Sequence, residues 1–391
     1  MRLLQDVIVI ESASVITGPL AGMMLADLGA TVIKVEPPSG DAFRAWEGGE
    51  KTLSPTFAAY NRGKSSIAVN LKEEEGRRVF RELVATADAV IENSRPGVME
   101  RLGVGYEQLQ VSNPRLVYCH ISGMGTTGPD RDRPTFDAVA QALSGLWSQY
   151  TDLQSPEPVG PPAADQLTGI YATVAVLAGL QHRQATGQGV KLDVDMLSSC
   201  LAFQGSGLAS LTREDKLPTK TSRARDSQSY AFIGSDSQPF AIHLSTPTKF
   251  WQGLCDTIEM PELFEDSRFA TKSTRIANYD ELEVILAEVF GKQPRGYWLR
   301  LLASNDVPSA PIYTLAESLE HRQVRAGGAV DTDNLEARLR GLVRSPIAVD
   351  GAHLASSVPP PEHAQDTDLI MASLGHSPHD VARLRQLGAV M

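Results

Sequence analysis

One alternation, repeated, constrains the fold more than any other feature of the chain. "DVIVIE" (6–11) is the β-branched apolar run of a strand covered on both faces. "GPLAGMMLADLG" (18–29) has helical periodicity and stops on Gly29, and "ATVIKVE" (30–36) is a second buried strand. Together they form a βαβ unit, which opens an α/β domain. "SSIAVNL", "EEEGRRVFRELVATA" and "DAVIENS" repeat the pattern, and "PRLVYCHISG" adds a strand. A helix over 166–180 and the strand "VKLDVDML" carry it to about residue 200.

At 391 residues the chain exceeds one compact core. The pattern predicts a large α/β domain over 1–205, then a linker over 206–229, since "TREDKLPTKTSRARDSQS" is charged and apolar-poor. A smaller α+β domain follows over 230–320, opened by the hairpin-like "YAFIGSDSQPFAIHL". Residues 321–361 read as an extended connector ending in the stiff "VPPPE", and 362–391 as a helical pair. No uncharged apolar run is long enough for a membrane, and "MRLLQDVIVIE" has no signal-peptide layout. Cys119, Cys200 and Cys255 are too scattered for a disulfide or zinc framework. The eight histidines show no metal-ligand spacing, so no metal is expected. A cytoplasmic protein that contacts no membrane is expected. The net charge of −11 also excludes nucleic acid as a partner, and any anionic ligand needs a local basic cluster.

Glu36 at the end of the second strand invites a dinucleotide-dependent oxidoreductase, but the turn "SASVITGP" lacks the G-x-G-x-x-G fingerprint. Lys34, Arg44, Arg62, Lys64, Lys72, Arg95 and Arg101 fall at expected loop positions. They are either ordinary surface charge or a nucleotide-phosphate site. Cys119 and His120 are adjacent on a strand, so they point to opposite faces and form no nucleophile–base pair. Asp165 is the single charge in "VGPPAADQLTGIYATVAVLAGL" (159–180). Leu167, Ile170, Tyr171, Val174, Leu177 and Leu180 recur at helical spacing behind it, and the helix stops on Gly187 or Gly189. Asp165 is therefore an N-cap of a buried helix, a reactive group, or both; burial and the helix terminus push its pKa in opposite directions.

"GPLAGMMLADLGATVIKVEPPSGDAFR", "NRGKSSIAVNLK", "ADAVIENSRPGVMERLGVGYEQL", "NPRLVYCHISGMGTTGP", "FDAVAQALSG" and "DQLTGIYATVAVLAGLQHRQATGQG", in this order, resemble the family III CoA-transferases. That group includes formyl-CoA transferase, carnitine CoA-transferase and α-methylacyl-CoA racemase. "NDVPSAPIYTLAESLEHRQV" extends the likeness into the second half. The resemblance implies a Rossmann-like large domain completed by the C-terminal segment 362–391, a smaller domain, and two chains interlocked as a homodimer. It implies that Asp165 is the nucleophile, forming a mixed anhydride and then an aspartyl-CoA thioester as CoA passes from an acyl-CoA to a small carboxylic acid. CoA is then a substrate, with no tightly bound cofactor. An N-cap position would bring backbone amides to the developing oxyanion.

By the same resemblance Val15, Ile16 and Thr17 meet the CoA and acyl region. Lys72, Asn93 and Arg101 hold the nucleotide and its phosphates, Leu71, Ser94 and Leu102 lie beside adenine or ribose, and Met196 lines the thioester pocket. Phe136, at the CoA site, replaces the His that the racemase branch uses as a base. That favours transfer over the alternative, a 2-methylacyl-CoA racemase or epimerase at Asp165. Ile16 stands where the formyl branch has Gln, and "TSRARDSQS" replaces its glycine-rich lid, which points away from formate and oxalate. Arg223 and Arg225 in that segment suggest a clamp for the distal carboxylate of a dicarboxylic acceptor. Asp366-Thr367 stands where the family has His-Thr.

Overall fold

The computed structural model describes residues 2–46, 53–245, 248–331, 334, 336 and 338–391. Six strands, β1 (Ile8–Ser12), β2 (Thr31–Glu36), β3 (Lys64–Ala68), β4 (Ala89–Glu92), β5 (Val117–Ser122) and β6 (Val190–Asp195), pair in the order β3-β2-β1-β4-β5-β6. All neighbours are parallel, and β1 pairs with β2 on one side and β4 on the other. The strand order reverses between β1 and β4, and their carboxyl ends open a crevice there, the usual ligand position of such sheets.

Helices α1 (Thr17–Asp27), α2 (Pro55–Asn61), α3 (Glu74–Ala85), α4 (Val98–Arg101), α5 (Tyr106–Ser112), α6 (Asp137–Leu143), α7 (Ala163–Thr186) and α8 (Met196–Phe203) connect and cover the sheet. Side chains alternate along each strand. Val9, Ile91, Val117, Cys119 and Ile121 pack with Leu25, Ala172 and Val176 of α1 and α7. Ile10, Val90 and Tyr118 pack on the other face with Phe80 and Leu83 of α3 and Leu109 of α5.

α7 is longer than expected and ends on Gly187, whose φ of 76° is the left-handed conformation glycine tolerates. Its buried face also differs. Ala164, Thr168, Gly169, Ala172, Thr173, Val176 and Gly179 are buried, whereas Ile170, Tyr171 and Val174 are 44, 41 and 56% exposed. The cause is close approach: a Cβ on Gly169 would lie 2.9 Å from the Thr17 carbonyl oxygen and one on Gly179 2.6 Å from Val117 Cγ1. Large residues cannot enter that seam. By length and hydropathy α7 would suit a bilayer, but Asp165 and Arg183 interrupt it, and in this chain it packs on α1, β5 and β6.

The chain divides into two compact units. The first comprises Met1–Trp147, Pro158–Gly205 and Arg325–Met391. Its terminal helices, Thr367–Ser373 and Pro378–Gln386, deliver Ile370, Met371, Val381 and Leu384 to the core that holds Ile67 and Phe80. Asp366 pins this segment to β3. Its Oδ2 accepts from the Ser66 amide at 2.8 Å, and its own amide donates to the Ser66 carbonyl at 2.9 Å.

The second unit comprises Ser148–Glu157 and Ser206–Val324. β7 (Ser229–Ile233), β8 (Pro239–His243) and β9 (Ser309–Pro311) form an antiparallel sheet over an aromatic core that includes Phe232, Phe240, Trp251 and Phe290. Two stretches expected to be irregular are partly helical. The segment 206–229 carries most of α9 (Gly205–Glu214) and all of α10 (Ser222–Ser227). The segment 321–361 opens with the helix Arg322–Gly327 and contains a short hairpin of Ala348–Val349 with Ala352–His353. Their apolar content is too low to predict helices from periodicity; α9 and Arg322–Gly327 bury no residue and α10 buries only Ser227. Residues 332, 333, 335 and 337 of that connector lie outside the described residues.

Candidate active site

The site starts where β1 runs into α1. Val15, in this loop, has φ of 70°, a left-handed conformation that a β-branched side chain resists. Neighbours impose it from two sides. Asn93, just past β4, accepts from the Ser14 amide at 3.0 Å and donates from Nδ2 to the Ser14 carbonyl at 2.8 Å and to Thr17 Oγ1 at 3.2 Å. Asp41 Oδ1 accepts from the Val15 amide at 3.3 Å and from the Phe43 amide at 2.9 Å.

Behind the loop lies a buried ionic cluster. Lys34 Nζ sits 2.9 Å from Glu11 and 2.8 Å from Asp41, and Lys64 Nζ 2.6 Å from the other Glu11 oxygen. Lys64 also donates to the Pro19 carbonyl and to Asn61 Oδ1, both at 2.8 Å. Burial works against the Lys34 ammonium, but Glu11, Asp41 and Glu36 outweigh it and hold its pKa above the ordinary value. For Lys64 burial prevails, against the pull of Glu11, and lowers it to about 8. Glu36 is bound by Arg44 through two contacts of 2.7 Å and by Ser66 at 2.6 Å. Burial pushes its carboxyl up, and Arg44 and Lys34 bring it down to about 2. Arg62 grips Asp27 through contacts of 3.0 and 2.5 Å. Lys34, Arg44, Arg62 and Lys64 are therefore internal ion-pair partners, correcting their reading as phosphate candidates, and Glu36 is not free for a ribose.

A cleft of about 270 Å³ opens at the carboxyl ends of β1, β4 and β5. Val15, Ile16, Thr17, Asn93, Ser94, Phe136, Asp165 and Met196 all line it, so five separate stretches of sequence converge. Leu71, Lys72, Arg101 and Leu102 do not line it. Leu71 and Leu102 pack against the hydrophobic core, while Lys72 and Arg101 are exposed. Arg95, Arg131 and Arg133 also line the cleft. Arg131 and Arg133 were missed, although "DRDRP" follows a strand's carboxyl end, which is the signal that finds them.

Asp165 is 9% exposed and is the third residue of α7, not its cap. Pro162 holds the N-cap position and makes no side-chain hydrogen bond there. The first-turn amides of Ala164 and Asp165 donate instead to Asp137 Oδ1, at 2.9 and 3.2 Å. They are therefore not open to a developing oxyanion, as an N-cap Asp165 would have implied. Burial first, and the Asp137 charge second, push the Asp165 carboxyl up to about 7. Among the described residues nothing donates a hydrogen bond to that carboxyl group.

His120 lies under the cleft floor, with Nδ1 3.0 Å from Asp193 Oδ1 and Nε2 3.2 Å from the Ser94 carbonyl. Burial opposes its charge, but Asp193 and Glu92 raise its pKa overall. Cys119 lies on the opposite face, where burial pushes its thiol up to about 12. The site thus offers a sheltered, basic carboxylate, three lining arginines of which Arg131 and Arg133 are paired with Asp132 and Asp130, and no neighbouring thiolate.

The CoA-transferase family III model matches residues 4–367. The chain is 36% identical over 328 residues to an acetyl-CoA:oxalate CoA-transferase from Acetobacter aceti, covering 82% of this chain and 83% of that protein. It is 34% identical to a succinyl-CoA:glutarate CoA-transferase from Mus musculus, covering 95% and 86% respectively. A CaiB/BaiF family protein from Brucella suis superposes with a TM-score of 0.81 at 33% identity, over 94% of this chain and 98% of that one.

Proposed function

The chain belongs to CoA-transferase family III and exchanges CoA between acyl-CoA thioesters and carboxylic acids; we propose that it does so through covalent intermediates on Asp165. One observation carries this reading: a nearly buried carboxylate with a pKa near 7 and no hydrogen bond of its own lines the cleft. Such a carboxylate is a better nucleophile than a solvated one, and half of it is ionised at neutral pH.

Asp165 attacks the donor thioester carbonyl, forming a C–O bond as the C–S bond breaks and CoA thiolate departs. The thiolate attacks the aspartyl carbonyl of this mixed anhydride, releasing the donor acid and leaving an aspartyl-CoA thioester. The acceptor carboxylate displaces the thiolate again, forming a second anhydride. The thiolate then attacks the acceptor carbonyl, releasing the new acyl-CoA and restoring Asp165. No net proton is consumed, so no second base is needed. Phe136 at the cleft accords with this, since phenylalanine cannot exchange the proton that racemisation requires.

Val15, Ile16, Thr17 and Met196 are assigned to the acyl and thioester region; Asn93 and Ser94, expected at the nucleotide, line the same cleft and are reassigned to the CoA chain entering it. Lys72 and Arg101, with Leu71 and Leu102, are assigned to the nucleotide end. The relatives' named acids, oxalate and glutarate, are dicarboxylic. A dicarboxylate is accordingly the proposed acceptor, its distal carboxylate met by Arg131 and Arg133 at the cleft. Arg223 and Arg225 are the other candidates for that role. Arg225 lies 2.5 Å from Asp280 and stacks over Tyr279. Buried, unpaired Cys119, Cys200 and Cys255 suit the cytoplasmic setting proposed for the chain.

An interlocked homodimer is the working form that the family resemblance implies, and the exposed apolar face of α7 offers it surface to cover. Threaded chains separate only by unfolding, so sedimentation at nanomolar concentration should show dimer alone, and reversible folded monomer would exclude the interlock. The covalent route is tested by incubating the enzyme with succinyl-CoA and then hydroxylamine. Mass spectrometry should find the hydroxamate on Asp165. Transfer that continues with no label there overturns the route.

A further inference from the structure

Every α-helix begins with amides that lack a partner, and a carboxylate in the first turn normally takes them. That pairing would stabilise the Asp165 anion and make it a poorer nucleophile. In α7 it does not occur, because a carboxylate from another helix occupies the place. Asp137, the first residue of α6, accepts from both the Ala164 and Asp165 amides through Oδ1. Its Oδ2 accepts from Gln141 Nε2 at 2.6 Å, one turn further along α6. Gln141 is itself buried, so both Asp137 oxygens are fixed.

We propose that Asp137 is a positioning residue for the nucleophile: by taking the first-turn amides of α7 it leaves the Asp165 carboxylate unbound in the cleft. This rests on Asp165 being the nucleophile. Asp137 touches no reacting atom in this scheme and acts through the backbone of α7 and through its charge, which opposes ionisation of Asp165.

The other groups around Asp165 do not substitute for it. Tyr60 on α2 accepts from Gln166 Nε2 at 2.7 Å, and burial keeps its phenol protonated. Cys200 on α8 is likewise raised by burial. Asp195 caps α8, accepting from the Ser198 amide at 2.7 Å. Arg95, Arg131 and Arg133 line the cleft, but Arg131 is paired with Asp132 and Arg133 with Asp130, and burial and the Asp137 charge govern the Asp165 carboxyl.

Two variants separate the two actions of Asp137. Asp137→Asn keeps an oxygen for the amides and removes the charge. Asp137→Ala removes both and frees the amides for Asp165 itself. Asp165 must be ionised to attack, so kcat/KM falls below its pKa. The acid limb should move down by about one pH unit in the Asn variant and further in the Ala variant. kcat should fall about 100-fold in the Ala variant, with the KM for succinyl-CoA within about twofold, and the Asn variant should recover most of it. A ¹³C-carboxyl titration of Asp165 in ligand-free enzyme should show the same two displacements.

That titration does not depend on what the enzyme transfers. If it moves as expected while hydroxylamine fails to label Asp165, the function assigned above is wrong and the packing role of Asp137 stands. If Asp165 is labelled, but its titration and the acid limb stay at wild-type pH in both variants, the proposal is overturned.

Discussion

Asp165→Asn should lose CoA transfer by several orders of magnitude and yet melt at a higher temperature than wild type above neutral pH. The amide cannot form the anhydride, and no other carboxylate lining the cleft can replace it. The stability gain follows from the titration. The Asp165 carboxyl rises from 3.8 to about 7 on folding, chiefly because burial penalises its charge. A group whose folded pKa is raised contributes stability below its unfolded pKa, and that contribution is lost as pH rises through the folded value. Wild type therefore loses stability between about pH 4 and pH 7, by on the order of 3–4 kcal/mol, and the uncharged Asn variant does not. Melting curves at pH 4 and pH 8 check this: the two proteins should coincide at pH 4 and separate at pH 8. Near-normal turnover by the variant would remove Asp165 from the chemistry. Equal melting at both pH values would mean that its ionisation is not opposed by the fold.

Lys34→Met should cost roughly 3–5 kcal/mol, the usual effect of removing one partner from a buried ion pair. Lys34 is fully buried and bridges Glu11 and Asp41, and it also donates to the Ala13 carbonyl at 2.9 Å. Methionine fills similar volume, so the loss comes from two carboxylates left with too little positive charge. Lys64, still 2.6 Å from Glu11, compensates that residue directly and Asp41 only by a weaker charge–charge attraction. Asp41 loses its counter-ion, and with it the anchor for the strained Val15 loop. Activity should fall with stability because that loop lines the cleft. Urea unfolding measures the first effect; a loss below about 1 kcal/mol would mean that the cluster reorganises around the remaining charges.

Much of this protein was legible in short stretches of sequence. Buried strands declare themselves by apolar runs, helices by their period and their glycine stops, and so β1 to β6 and the end of α7 at Gly187 fell where local pattern put them. The opposite orientation of Cys119 and His120 needed only the two-residue repeat of a strand. Asp165 stood out as a single charge before an apolar helix. Tertiary structure alone decided the rest, because each remaining feature depends on a partner brought from far along the chain. Lys34 and Arg44 have the sequence signature of surface cations, and only the arrival of Glu11, Asp41 and Glu36 makes their burial tolerable. The outward face of α7 follows from how closely α1 approaches Gly169. The state of Asp165 itself was set by Asp137, twenty-eight positions earlier. A pKa is fixed by the charges and the water around a group, and folding determines both.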